Sequence, residues 1–120
     1  DSEYVVDRVT VIQEQVAETK IQTEDAILDA INAIKLAAEG ATATADPALL
    51  DEARALHRKA QFMWDFVSAE NSTGFHNPEY ALRILAESTN YARQAQMLAA
   101  QSAGDMSLLE TGTYYPDTAQ

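Results

Sequence analysis

Few side chains in this sequence are suited to chemistry, and the two histidines come first because there is no cysteine. His76 lies in Gly74-Phe75-His76-Asn77-Pro78-Glu79. Gly74 can take backbone conformations closed to other residues. Asn77 followed by Pro78 is a helix cap and a first helical residue, so His76 is held at the mouth of a rigid helix. Phe75 beside it offers a flat apolar surface. The same local pattern would also suit an imidazole that simply packs on the bundle at a helix start. His57, between Leu56 and Arg58 beside the apolar stripe, reads as a partly exposed helix residue without a chemical role. The carboxylates Glu24, Asp25, Asp51, Glu52 and Glu70 fall on solvated helix faces or at helix ends. Nothing beside them suggests acid–base catalysis. Glu79 sits in a first helical turn, where negative charge suits the helix dipole. No phosphate-cradling glycine loop and no nucleophile–base set can be assembled, so the segment carries no catalytic residues of its own. Asn71-Ser72-Thr73 fits a glycosylation acceptor, but such tripeptides are common by chance.

The elements that position His76 are helical. Residues 3–39 form the first periodic segment, with Val5, Val9, Ile12 and Val16 stepping by a helix face and Ile27, Ile31, Ile34 and Ala38 resuming it. The offset between the stripes suits one long helix drifting around its partner, a kinked helix, or two shorter ones. Gly40 ends the segment, and Asp46-Pro47 starts the next. Over 47–70 the stripe is Leu49, Ala53, Leu56, Ala60, Met63 and Val67, widened by Phe62, Trp64 and Phe66. Over 78–103 it is Ala81, Ile84, Ser88, Tyr91, Ala95 and Leu98, backed by Leu85, Ala92 and Ala99. Its alanines and serine leave room for close approach of a neighbouring backbone. The expected fold is all-α, a bundle of long antiparallel helices over 1–104, with an irregular tail over 105–120. That tail is read as extended and pinned by Leu108, Leu109, Tyr114 and Tyr115.

Composition agrees with helix and excludes several functions. The chain has 120 residues, 47% of them hydrophobic, with 4 Gly and 3 Pro. This is enough for one domain with its own core. A formal net charge of −11 argues against nucleic acid, since a phosphate backbone would be repelled. Solvated acidic helix faces account for that charge better than a docking surface for a basic partner does. No apolar run is long enough for a membrane span, and no signal peptide is visible. The first residue, Asp1 rather than Met, suggests a piece of a longer protein.

The wording of the second and third segments resembles the C-terminal helical region of the multihaem cytochrome c nitrite reductases, the ammonia-forming enzymes. Arg58-x-Ala60-Gln61-x-x-Trp64-Asp65-Phe66 is similar to the family's helix before the ligand loop. Gly74-Phe75-His76-Asn77-Pro78-Glu79 is similar to the loop itself, Ala81-Leu82-Arg83-x-Leu85 to the following helix, and Ala92-Arg93 to a pair farther on. The likeness runs from about Ala53 to Gln101. Phe62 and Met63 depart from it, standing where the family often has aromatic and basic residues. Related octahaem enzymes share similar wording, so the haem number stays open.

The resemblance implies that His76 is a distal axial ligand to a haem iron. A lone histidine can serve haem because the macrocycle already supplies four ligands, whereas a structural metal needs three or four from the protein. Without cysteine the segment cannot attach haem c, so the implied cofactor belongs to an upstream haem domain. The family's catalytic groups lie in that domain and none can be placed here. The resemblance further implies periplasmic or extracytoplasmic location, electron transfer to nitrite, and a homo-oligomer formed through the long helices. The competing reading is a haem-free helical interaction or structural module, and Cys-x-x-Cys-His motifs upstream would separate the two.

Overall fold

In a computed structural model the described residues, 2–40, 45–74 and 77–112, form an all-α bundle with no strand among them. Helix α1 is Ser2–Glu39, α2 is Pro47–Ser72, α3 is Pro78–Ala103, and a short 3-10 turn, Met106–Leu109, follows. Consecutive helices run antiparallel, and α3 packs against both of the others. The first helix is continuous, which resolves the alternatives of kink or break. At 38 residues it spans about 57 Å, against about 39 Å for the 26 residues of α2. Its N-terminal portion therefore reaches past the α2–α3 turn. The side chains of residues 2–7 and 9, Val5 and Val9 included, lie outside those described.

Local chemistry fixes the helix ends. Asp46 caps α2 by accepting the Ala48 N–H at 3.0 Å, and Asn77 caps α3 by accepting the Tyr80 N–H at 3.1 Å. Each is followed by proline, whose missing N–H costs nothing at that position. Helix α3 ends on Gly104 at φ 62°, the left-handed conformation that glycine adopts without strain.

The core is lined by small residues. Ala26, Ala30, Ala60, Ala92 and Ala95 form its middle, with Ala33, Ala37, Ala53, Ala99 and Ala100 toward one end and Val16, Val67, Ala81 and Leu85 toward the other. Alanine lets helix backbones approach closely, so buried hydroxyls reach across. Ser88 donates to the Ala60 carbonyl at 2.7 Å, and the Thr23 and Thr89 hydroxyls meet at 2.8 Å. This geometry corrects the expected seam of α1. Ile31 and Ala38 are exposed, while Thr23, Ala26, Ala30, Ala33 and Ala37 are buried. The helix turns its alanine side inward because α3 lies close against it, and bulky Ile31 falls at the edge.

The tail also departs from expectation. Residues 106–109 are not extended: the reversal at Gly104 brings them back as a 3-10 turn that buries Leu108 against Ala99 and Ala100. Asp105 caps this turn, accepting from Ser107 Oγ at 2.6 Å and Ser107 N at 3.0 Å. Those bonds hold its carboxyl below the usual range. Tyr114 and Tyr115 lie outside the described residues.

Candidate functional site

The turn between α2 and α3 is hydrogen-bonded on both flanks. Thr73 closes α2, its N–H bonded to the Ala69 carbonyl at 3.2 Å and its hydroxyl to the Glu70 carbonyl at 2.8 Å. Gly74 follows at φ 83°, where any side chain would be strained although a Cβ would meet nothing within 4 Å. Asn77 and Pro78 then open α3. Phe75 and His76, the residues singled out from sequence, lie outside the described residues.

Beside this turn a cavity of about 720 Å³ opens between α1 and the α2–α3 hairpin. Its apolar wall includes Ile12, Val16, Ile21, Trp64, Pro78 and Ala81. Gln13, Lys20, Glu24, Asn71 and Asn77 supply the polar part. Trp64 is half-buried and its place is fixed, because the indole Nε1 donates to the Lys20 carbonyl at 3.0 Å. The Lys20 ammonium in turn stands 5.0 Å from the centre of the Trp64 ring. The structure thus brings Trp64, Asn77 and Pro78, all within the motif stretch, to one cavity. Lys20 joins them from α1, and nothing in its sequence neighbourhood signals that role.

Phe66, on another side of α2, makes an edge-to-face contact with Tyr80 at 6.4 Å, and Phe62 is 70% exposed. The aromatic widening of α2 therefore serves more than the core. His57 is half-buried on the same helix, and its Nε2 has no hydrogen-bond partner. Burial, with the Arg58 charge adding to it, pushes its imidazole below the ordinary value and keeps it neutral near pH 7. Nothing groups it with other reactive side chains. Among the described residues no cluster of three or more His, Cys, Asp or Glu could hold a metal ion. None of their helices is long and apolar enough to cross a membrane.

A polar centre missed in the sequence lies on the opposite half of the bundle. Asp29, buried in α1, accepts from Arg93 at 2.7 Å and from the Gly112 N–H at 2.8 Å. Arg93 also donates to Gln96 Oε1 at 3.0 Å, and Gln96 Nε2 donates to the carbonyls of Leu108 and Glu110, each at 3.0 Å. The available signal was an acid set among Ala26, Ile27 and Ala30. This network holds the end of the described chain.

The described residues thus form a helical hairpin with a capped turn and a cavity at that turn. Comparison gives the class: the chain belongs to the cytochrome c552 family, whose family profile matches residues 1–119. A curated relative is the cytochrome c nitrite reductase subunit NrfA of Nitratidesulfovibrio vulgaris, 39% identical over 102 residues. That match covers 83% of this chain and 20% of the relative, so the chain corresponds to about a fifth of that protein's length. No solved structure gives a significant match. The helical chain is thus a segment related to haem-carrying c-type cytochromes, and with no cysteine it holds no thioether-linked haem itself.

Proposed function

We propose that this chain is the C-terminal helical part of a periplasmic multihaem cytochrome of the ammonia-forming nitrite reductase kind, in which His76 is the distal axial ligand of a haem attached upstream. The observation that carries the reading is the cavity flanked by Asn77 and Pro78, next in sequence to His76 and within a chain that belongs to the family. Its size falls within the range of about 300–1,000 Å³ usual for small-molecule sites, and its lining suits a flat apolar macrocycle. When bound, the haem supplies one-electron transfer between neighbouring redox centres.

The chain's own part is to hold a ligand in place. The Gly74 bend and the Asn77 cap set the backbone at the two described ends of the loop that carries His76. An axial imidazole is neutral at the iron-facing nitrogen, and its other nitrogen donates to an acceptor that orients the ring. The N-terminal portion of α1, which reaches past the hairpin, supplies a subunit interface in this reading. Nitrite reduction itself belongs to residues upstream.

The test is a redox titration of the haem-bearing parent polypeptide with and without His76→Ala. The reading expects the midpoint potential of one haem to shift while the haem content stays unchanged. Superimposable titrations would leave the segment as a haem-free helical module.

A further inference from the structure

We propose that the cavity between α1 and the α2–α3 hairpin holds a flat apolar ligand against Trp64 and receives its acidic edge group on the Lys20 ammonium. The inference rests on the haem reading above and identifies the edge of the cofactor that this chain recognises, the one carrying the propionates. Trp64 and Lys20 form a preorganised pair. The indole is tied to the Lys20 backbone carbonyl at 3.0 Å, and the ammonium of the same residue stands 5.0 Å from the ring centre. Carbonyl and ammonium together fix the wall before any ligand arrives, which lowers the ordering cost of binding.

Charge selects the ligand. In a chain of formal charge −11 an anion needs a local cation to approach at all. Lys20 is the only cation among the lining residues, and no described carboxylate pairs with it within ion-pair distance. Glu24, one turn farther along α1, also lines the cavity and repels an acid there. The ligand must therefore present its acid at the Lys20–Trp64 side and its apolar body to Ile12, Val16, Ile21 and Ala81. A molecule bearing acids around its whole rim would be refused.

The test uses the chain itself with ferric protoporphyrin IX and, separately, its dimethyl ester, read by quenching of Trp64, the one tryptophan in the sequence. Lys20→Gln should weaken binding of the free acid about tenfold and leave binding of the ester unchanged, the size expected for one charged hydrogen bond. Ala17 also lines the cavity and is exposed, so Ala17→Phe, which adds a ring there, should weaken both, with unaltered circular dichroism in each variant. Equal affinities across the wild type and these variants would overturn the proposal. So would a quenching midpoint that rises with protein concentration, because a second copy of the chain would then occupy the cavity. His76→Ala separates the two readings. If it leaves the Soret spectrum unchanged while Lys20→Gln still weakens binding, the axial-ligand reading fails and the cavity assignment stands. The reverse pattern removes the cavity assignment and leaves the axial-ligand reading.

Discussion

Arg93 Nη1 lies 2.7 Å from Asp29 Oδ2, joining α3 to α1 across 64 residues of sequence. The Asp29 side chain is 2% exposed and that of Arg93 41%, so a buried carboxylate is met by a cation that keeps partial contact with water. The second carboxylate oxygen accepts the Gly112 N–H, and Gln96 grips two carbonyls of the same segment. One acid thus fixes the spacing of α1 against α3 and the path of the chain after the 3-10 turn.

Removing the arginine alone leaves that carboxylate buried with a single donor. Arg93→Met should therefore destabilise by roughly 2–4 kcal/mol in urea unfolding, below the cost for a fully buried pair because Arg93 is partly exposed. Asp29→Asn keeps an acceptor for Gly112 and should cost less. A double-mutant cycle over both positions should return a coupling of about 1–3 kcal/mol. A value near zero would reduce the contact to an ordinary surface pair.

Trp64 should matter through its hydrogen bond as well as its area. Trp64→Phe retains most of the ring but orphans nothing except the Lys20 carbonyl, which keeps its place in the helix, so about 1 kcal/mol is expected. Trp64→Ala removes the wall between α1 and α2 and should cost roughly 2–4 kcal/mol, somewhat less than for a sealed tryptophan. Thermal unfolding of the two variants side by side distinguishes the contributions.

His57 gives a pH signature. Its folded pKa is lowered from 6.5 by burial and by Arg58, so the unfolded chain binds the proton more readily. Stability then rises with pH through this window, and the penalty appears as pH falls below 6.5 toward the folded value. Lowering pH from about 7.5 to about 5.5 should depress Tm more in the wild type than in His57→Gln, which carries no titrating ring. Equal depression in both would show that His57 is freely solvated.

The all-α bundle was legible because proline-led caps and helical periodicity are local signals, as at Asp46-Pro47 and Asn77-Pro78. The inward side of α1 was not. Reading by helical step favoured Ile31 and Ala38, whereas close approach of α3 buries Ala26, Ala30 and Ala33. Proximity of that kind is set by a helix far away in sequence. The same is true of Asp29, which meets Arg93 and Gly112 only after folding, and of Lys20, which reaches Trp64 across 44 residues. The turn over 106–109 was hidden because its signals, Gly104 and Asp105, also fit a loop leading to an extended tail. The motif around His76 was visible as wording, while the cavity beside it was not, since more than half of its wall comes from α1.

Association through α1 can be checked by sedimentation. Ile12 is half-buried in the cavity wall beside the α2–α3 turn, where the portion of α1 that reaches past the hairpin begins. If that portion pairs with another copy, the wild-type chain should sediment above monomer mass, and Ile12→Glu should move it toward monomer. A wild-type chain that remains monomeric at high micromolar concentration would contradict the interface.

Low-temperature electron paramagnetic resonance of the haem-bearing parent protein tests the role of His76 most directly, because the spectrum reports the axial ligands of each ferric haem. In the His76→Ala variant, one low-spin signal should disappear and a high-spin signal of matching intensity should replace it, with every thioether linkage intact. An unchanged set of low-spin signals in a fully haem-loaded variant would contradict the assignment of His76 as a distal ligand.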